Sequence, residues 1–162
     1  MESSRRAQLT DVERLAELAR MGMEELEPTR GGSVWMAQEA RREPLEKGFA
    51  ELLDAPDYTV LVGTIDSVGI GYAVVRCVEL GDGSRLGVIE DIFVEAEARG
   101  VGVGEAMINE VIEWCEAREC IGVDAMALPG HRQTKNFFED SGFTARRLTM
   151  HKPLIRSRGT SS

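Results

Sequence analysis

Three glycines at alternate positions, Gly100, Gly102 and Gly104, stand between Arg99 and Glu105, directly ahead of a stretch with helical apolar spacing. Glycines let a ligand approach the backbone closely, and the unpaired N–H groups that open a helix bind anions. A short way upstream, Glu90-Asp91 lies inside a β-rich run. A carboxylate there can take a proton from a nucleophile that reacts only when deprotonated. The combination is a phosphate cradle with an acidic neighbour.

The elements that position these residues follow from pattern. Thr10 and Asp11 cap a helix whose apolar face, Val12, Leu15, Ala16, Leu18 and Ala19, runs to about Met23. Pro28 and Thr29-Arg30-Gly31-Gly32-Ser33 break it, and residues from about Met36 to Leu53 are predicted as a second helix. Tyr58 to Ile65 and Gly69 to Val78 are β-rich runs joined at Asp66-Ser67, which predicts a hairpin. Gly81-Asp82-Gly83-Ser84 then turns the chain into a strand from about Arg85 to Val94.

After the glycines, Val103, Met107, Val111 and Trp114 or Cys115 share one face of a helix that packs on a sheet. Val123 to Leu128 reads as a strand, Arg132 to Asp140 as a short helix ended by Gly142, and Phe143 to Lys152 as a returning strand. Residues 1–154 are expected to form one domain, and 155–162 a frayed tail with little to bury.

Two nucleotide-binding motifs compete for the glycines. A P-loop is excluded because no Gly-Lys-Ser or Gly-Lys-Thr follows. A dinucleotide-binding turn would use Gly100-Val101-Gly102, with Asp124 as the ribose acid. Against it, Glu95-Ala96-Glu97-Ala98-Arg99 separates strand from glycines where a tight turn belongs, and the chain is short for two mononucleotide halves.

The segment resembles the GNAT superfamily of acetyl-CoA-dependent N-acetyltransferases, whose loop runs Gln or Arg, two residues, Gly, one residue, Gly or Ala; Arg99, Gly102 and Gly104 fit it. Glu90-Asp91-Ile92-Phe93-Val94 is similar to the strand before the loop in polyamine-type members, and Asn136 to Phe143 resembles the later helix and Gly-Phe turn. The resemblance covers most of residues 5–153 and is strongest over 85–143. It implies an α/β (α+β) fold in which helices flank a mixed, largely antiparallel, splayed sheet.

For the site, the resemblance implies that backbone amides from Arg99 through Gly100, Val101, Gly102, Val103, Gly104 and Glu105 hold the CoA pyrophosphate. Val101 and Val103 are expected to turn into packing. Ile92, Phe93 and Val94 line the gap that receives the pantetheine arm, and the Val94 N–H polarises the acetyl carbonyl. Glu90 is the implied general base, acting through water on an amine that is mostly protonated at neutral pH. Strand alternation is expected to send Asp91 to the opposite face, so that the two do not form a dyad.

Departures matter too. Members often place a proton-donating tyrosine where this chain has Phe138, and an asparagine where it has His131. Tyr72 or His131 could replace the acid, or the thiolate could leave unprotonated. The expected reaction is direct acetyl transfer in a ternary complex to a small-molecule amine or peptide amino group. The alternative is an acyl-CoA-binding regulatory module without turnover. The resemblance also leaves a homodimer open, and no sequence feature marks its interface.

Composition bounds the rest. With 43% hydrophobic residues the 162-residue chain can build one core unaided. A formal charge of −9 argues against nucleic-acid binding, which needs a cationic surface. Cys77, Cys115 and Cys120 form no short paired motif, and two histidines give no zinc spacing, so no metal or disulfide framework is expected. A reducing, cytoplasmic setting follows. No apolar span reaches the length needed to cross a bilayer, so membrane insertion is not expected. None of the cysteines has an evident histidine partner, which argues against a covalent acyl-thiol route.

Overall fold

The computed structural model describes residues 1–154, and the proposed tail 155–162 lies outside the described residues. Its first element is one that side-chain pattern conceals. Glu2–Arg6 (β1) is almost wholly polar and mostly exposed, yet it pairs antiparallel with Tyr58–Ile65 (β2), Glu2 opposite Ile65 and Arg6 opposite Leu61. Backbone hydrogen bonding, not apolar alternation, makes this edge strand.

Between those strands run three helices, Val12–Leu26 (α1), Gly32–Gln38 (α2) and Leu45–Asp54 (α3). The single helix expected over 36–53 is therefore two. The chain leaves helical geometry after Gln38, and Pro44 disfavours helix in the residue before it. The intervening loop carries Arg41.

β2 turns at Asp66-Ser67, both at positive φ (48° and 71°), into Val68–Glu79 (β3). Such a left-handed pair matches the twist of a two-residue hairpin. Arg85–Val94 (β4) continues antiparallel to β3. After Val103–Ala117 (α4), Cys120–Ala125 (β5) pairs parallel with β4, giving sheet order β1-β2-β3-β4-β5. Arg132–Asp140 (α5) follows.

Alternation along the strands divides the core into two layers. Val60, Val62, Tyr72 and Val74 pack beneath Leu15, Leu18 and Phe49 of α1 and α3. Leu61, Ala73, Val75 and Ile89 face Val103, Met107 and Val111 of α4 and Phe138 of α5. Each buried valine, leucine, isoleucine, methionine or phenylalanine among these contributes about 1.5–3 kcal/mol relative to exposure. Gly63 on β2 sets how closely α4 approaches: a Cβ there would stand 2.5 Å from Val103 Cγ1 and 3.1 Å from Met107 Sδ. Gly63→Ala is expected to lower stability by about 1–3 kcal/mol by overpacking, read from chemical denaturation.

The strand expected over 143–152 is not formed. Residues 144–154 have no regular secondary structure, and Leu148 and Met150 are 81% and 86% exposed. Leu148 and Met150, two apart, signal a strand only if a buried face receives them, and both stay exposed. Arg146 instead reaches Asp124 on β5 through two side-chain hydrogen bonds.

Candidate functional site

Two irregularities in β4 create the site. Pairing with β3 sets Val74 opposite Asp91 but Val75 opposite Ile89, so Glu90 is an extra, bulged residue. A bulge suspends alternation and re-aims a side chain. Glu90 and Asp91 consequently meet the same guanidinium: Arg41 Nη2 donates to Glu90 Oε1 at 2.8 Å, and Arg41 Nε to Asp91 Oδ2 at 2.6 Å. The expectation that these carboxylates occupy opposite faces is thus corrected.

The second irregularity is on the other edge of β4. Pairing with β5 stops at Ile89–Ala125, whereas β4 runs on to Val94. Glu95 N–H donates to Ile70 O at 2.9 Å on the β3 side, so alternation turns the backbone groups of Val94 and Ile92 toward the side that β5 has left. Val94 O accepts Arg99 Nε there at 3.0 Å. The side chains of Ile92 and Val94 pack in the α4 layer, and Phe93 in the α1 layer.

Beyond β4 a short 3₁₀ turn, Ala96–Ala98, leads to the glycines. Gly100 and Gly102 have φ of +84° and +95°, and Gly102 caps α4. Ala106 N–H bonds Gly102 O at 3.0 Å, which leaves the N–H groups of Val103, Gly104 and Glu105 at the open end of the helix. Gly104 also spaces α4 from α5, since a Cβ would come within 2.8 Å of Phe137 Cε1. Val103 is buried as expected, but Val101 is 45% exposed and does not turn into packing.

The bulge and the edge that β5 leaves unpaired border one cavity of about 670 Å³. Glu90, Asp91, Tyr72, Arg41 and Trp35 line its acidic side, while Arg99, Gly100, Gly102 and Gly104 line the loop side. Of the residues singled out by sequence, Glu90, Ile92, Phe93, Val94, Arg99, Gly100, Gly102, Gly104 and Glu105 border this space.

Electrostatics on the acidic side are tightly coupled. Desolvation raises the Asp91 pKa, offset in part by Arg41 and by the Tyr72 hydroxyl, which donates to Asp91 Oδ2 at 3.0 Å. Burial, with the Asp91 charge, holds the Tyr72 phenol well above its ordinary value. A phenol so held is a poor proton donor to a thiolate, which is the weaker base. Glu90 Oε2 lies 3.1 Å from Arg76 Nε, and the Tyr58 hydroxyl approaches it at 3.4 Å. Arg41 is 19% exposed and Asp91 17%. Arg41→Met is expected to lower stability by about 2 kcal/mol at neutral pH, less than for a fully buried pair. Without Arg41 the Asp91 pKa rises further above its unfolded value. The loss is therefore present above that pKa and lifts as pH falls through it, which denaturation at two pH values measures.

Sequence reasoning missed Arg41 because it sits in a polar loop with no periodicity, and its partners meet it only through the bulge. His131 caps α5, with Nε2 3.1 Å from Glu25 Oε2 on the loop side. Phe138 is 5% exposed within the α4 layer. The cysteines cluster away from the cavity: Cys77 and Cys120 Sγ are 3.8 Å apart, and burial pushes the Cys115 thiol up to about 12. A thiol so suppressed is a weak nucleophile. Among the described residues no group of three His, Cys, Asp or Glu side chains is placed to hold a metal ion, and no helix is long and apolar enough to cross a membrane.

Residues 16–143 match the model of the acetyltransferase (GNAT) family. The chain is 32% identical over 66 residues to glucosamine 6-phosphate N-acetyltransferase 1 of Oryza sativa subsp. japonica, a match spanning 41% of this chain and 38% of that protein's length. Among solved structures, a mutant of the BH1408 protein from Bacillus halodurans superposes with TM-score 0.80 at 22% identity, covering 94% of this chain and 99% of the other. Glucosamine-6-phosphate N-acetyltransferase from Arabidopsis thaliana gives 0.68 at 18% identity, covering 96% and 99%. At these identities the likeness is one of fold.

Proposed function

Because this chain belongs to the acetyltransferase (GNAT) family, we propose that it moves the acetyl group of acetyl-CoA onto a primary amine by direct attack in a ternary complex. The observation that carries this is the unpaired edge of β4, flanked by a glycine loop at positive φ on one side and by Glu90 on the other. An extended pantetheine arm would take the place β5 leaves, its amides pairing with the Ile92 and Val94 backbone as a strand does. The pyrophosphate would rest on the amides from Arg99 through Glu105, where the positive end of α4 favours an anion.

Glu90 takes a proton from the acceptor ammonium through water. The amine nitrogen then attacks the thioester carbon, the Val94 N–H stabilises the oxyanion, and the C–S bond breaks to release CoA as the thiolate while the second proton on the nitrogen passes to water. With Phe138 buried and Tyr72 strongly protonated, the thiolate leaves without a side-chain acid, which its low basicity permits. The acceptor is a small-molecule amine or a peptide amino group. Glucosamine 6-phosphate, named for two of the relatives, belongs to that class. Free thiols at all three cysteines suit a reducing, cytoplasmic setting.

One observation favours a second reading. Both Glu90 oxygens already face arginines, Arg41 and Arg76, as a purely structural carboxylate would. On that reading the site holds acyl-CoA as a regulatory module without turnover. Initial velocities against both substrates separate the readings and test direct transfer. Intersecting double-reciprocal lines are expected; parallel lines contradict a ternary complex, and no turnover with any amine supports the regulatory module.

A further inference from the structure

The three cysteines are scattered in sequence but share one gap. Cys77 on β3 and Cys120 on β5 stand with their Sγ atoms 3.8 Å apart, on the α4 side of the sheet. β4 runs between those two strands and places Gly87 opposite Cys77. Lacking a Cβ, Gly87 leaves open the space across which the thiols meet. A Cβ there would stand 2.4 Å from Cys115 Sγ, which faces the same gap from α4. None of the three cysteines borders the acidic cavity.

The placement suits a bridge longer than a disulfide. Two strand spacings, about 9–10 Å, separate the backbones of β3 and β5, whereas a disulfide joins Cα atoms about 4.4–6.8 Å apart. Two metal–sulfur bonds of about 2.3 Å hold their sulfurs about 3.8 Å apart at a tetrahedral angle and about 4.6 Å apart when linear. The observed 3.8 Å lies at the near end of that span, and an opening of less than about 1 Å reaches the far end. Donor chemistry then narrows the choice of ion. Among the described residues no third His, Cys, Asp or Glu is placed with this pair as a ligand. A cation that needs a tetrahedron or an oxygen cage is therefore poorly served, while a soft monovalent cation is satisfied by two thiolates.

We propose that Cys77 and Cys120 form a two-sulfur binding site for a soft monovalent cation of the Cu(I) class, bridging β3 and β5 over Gly87. Binding sets the cation between the two Sγ atoms and releases two thiol protons to water, so the complex carries one negative charge. Arg85, opposite Cys120 on the β4–β5 ladder, is the cation placed to offset it. Burial and the Cys77 thiol raise Cys120 above its ordinary value, with Arg85 opposing, so Cys120 keeps its proton until the metal displaces it. Cys115, held protonated by burial, closes the gap from above without ligating. The bridge ties β5 to β3 at the end of the sheet opposite the splayed edge of β4.

The test titrates Cu(I), kept reduced and free of oxygen, into the full chain against a chromophoric Cu(I) chelator, for the wild type, Cys77→Ser, Cys120→Ser and Cys115→Ala, with a thermal melt of each. The wild type is expected to take one equivalent from the chelator, to show two sulfur neighbours in X-ray absorption and to melt at a higher temperature when loaded. Changes around a metal's ligands cost about 10–100-fold in affinity, so losing one of two ligating sulfurs is expected to cost at least about 100-fold in Cys77→Ser and in Cys120→Ser, and Cys115→Ala less than about tenfold. Wild-type affinity in either serine variant, an equal loss in Cys115→Ala, or no copper taken by the wild type overturns the site. If a variant fails to fold, the loaded wild type still decides, since a single sulfur neighbour marks adventitious binding and contradicts the bridge. The acetyl-CoA reading is tested separately, because none of these residues touches its cavity.

Discussion

Gly102→Val is expected to remove measurable acetyl-CoA binding, a loss of more than about 100-fold, while leaving the chain folded. Gly102 holds φ at +95° as the residue that caps α4. A β-branched residue there costs about 1–3 kcal/mol in backbone strain, which the loop relieves by rotating toward negative φ. A Cβ would also sit 3.3 Å from Glu2 Cγ on β1, a tight contact that the exposed Glu2 side chain must shift to relieve. Rotation turns the amides of Val103, Gly104 and Glu105 away from a common point. Losing two charge-assisted hydrogen bonds costs about 3 kcal/mol, or roughly 100-fold. Calorimetry measures it, with a thermal melt to show that the strain stays local. Gly100→Ala, at φ +84° but with nothing within 4 Å of its Cβ, should weaken binding less. Wild-type affinity in Gly102→Val contradicts the placement of the phosphates.

Glu90→Gln is expected to bind acetyl-CoA like the wild type and to lower kcat by about 100-fold, the lower range for loss of a general base. Glutamine still accepts Arg41 Nη2 through its carbonyl oxygen, and Asp91 keeps its own bond to Arg41, so the bulge is preserved. What is lost is the ability to remove a proton. The deficit should therefore shrink as pH rises toward the pKa of the acceptor amine, because the free base becomes abundant without help. Kinetics across pH, beside calorimetry, read both parts. Normal turnover in Glu90→Gln moves the base elsewhere, and Asp91 on the same guanidinium becomes the next group to test.

What sequence conveyed depended on whether side-chain pattern or backbone geometry made the feature. The β2–β3 hairpin, α1, α4 and the glycine loop were legible because each has periodicity, a turn pair or a glycine at positive φ. β1 was not, because Glu-Ser-Ser-Arg-Arg carries no apolar face. The 143–152 stretch misled in the opposite way: Leu148 and Met150, two apart, find no sheet face to fill and stay in solvent. At the site, Glu90, Val94 and the loop were identified through the resemblance, and the structure groups them around one cavity. The partnership of Glu90 with Asp91 was invisible, since a single bulged residue has no signature in composition and reverses the prediction that alternation makes. Arg41 was hidden for the same reason. Its role arises only from where the α2–α3 loop lies relative to that bulge.

The most direct test of acetyl transfer is release of the CoA thiol from acetyl-CoA, followed with polyamines, amino acids, amino sugars and their phosphates, aminoglycosides and lysine peptides in turn, with mass spectrometry of each amine. Thiol release that depends on one class of amine, matched by one acetyl group gained on that amine, is the predicted result. Tight binding of acetyl-CoA with no amine-dependent release across the panel contradicts the catalytic account and leaves the site a receptor for the thioester.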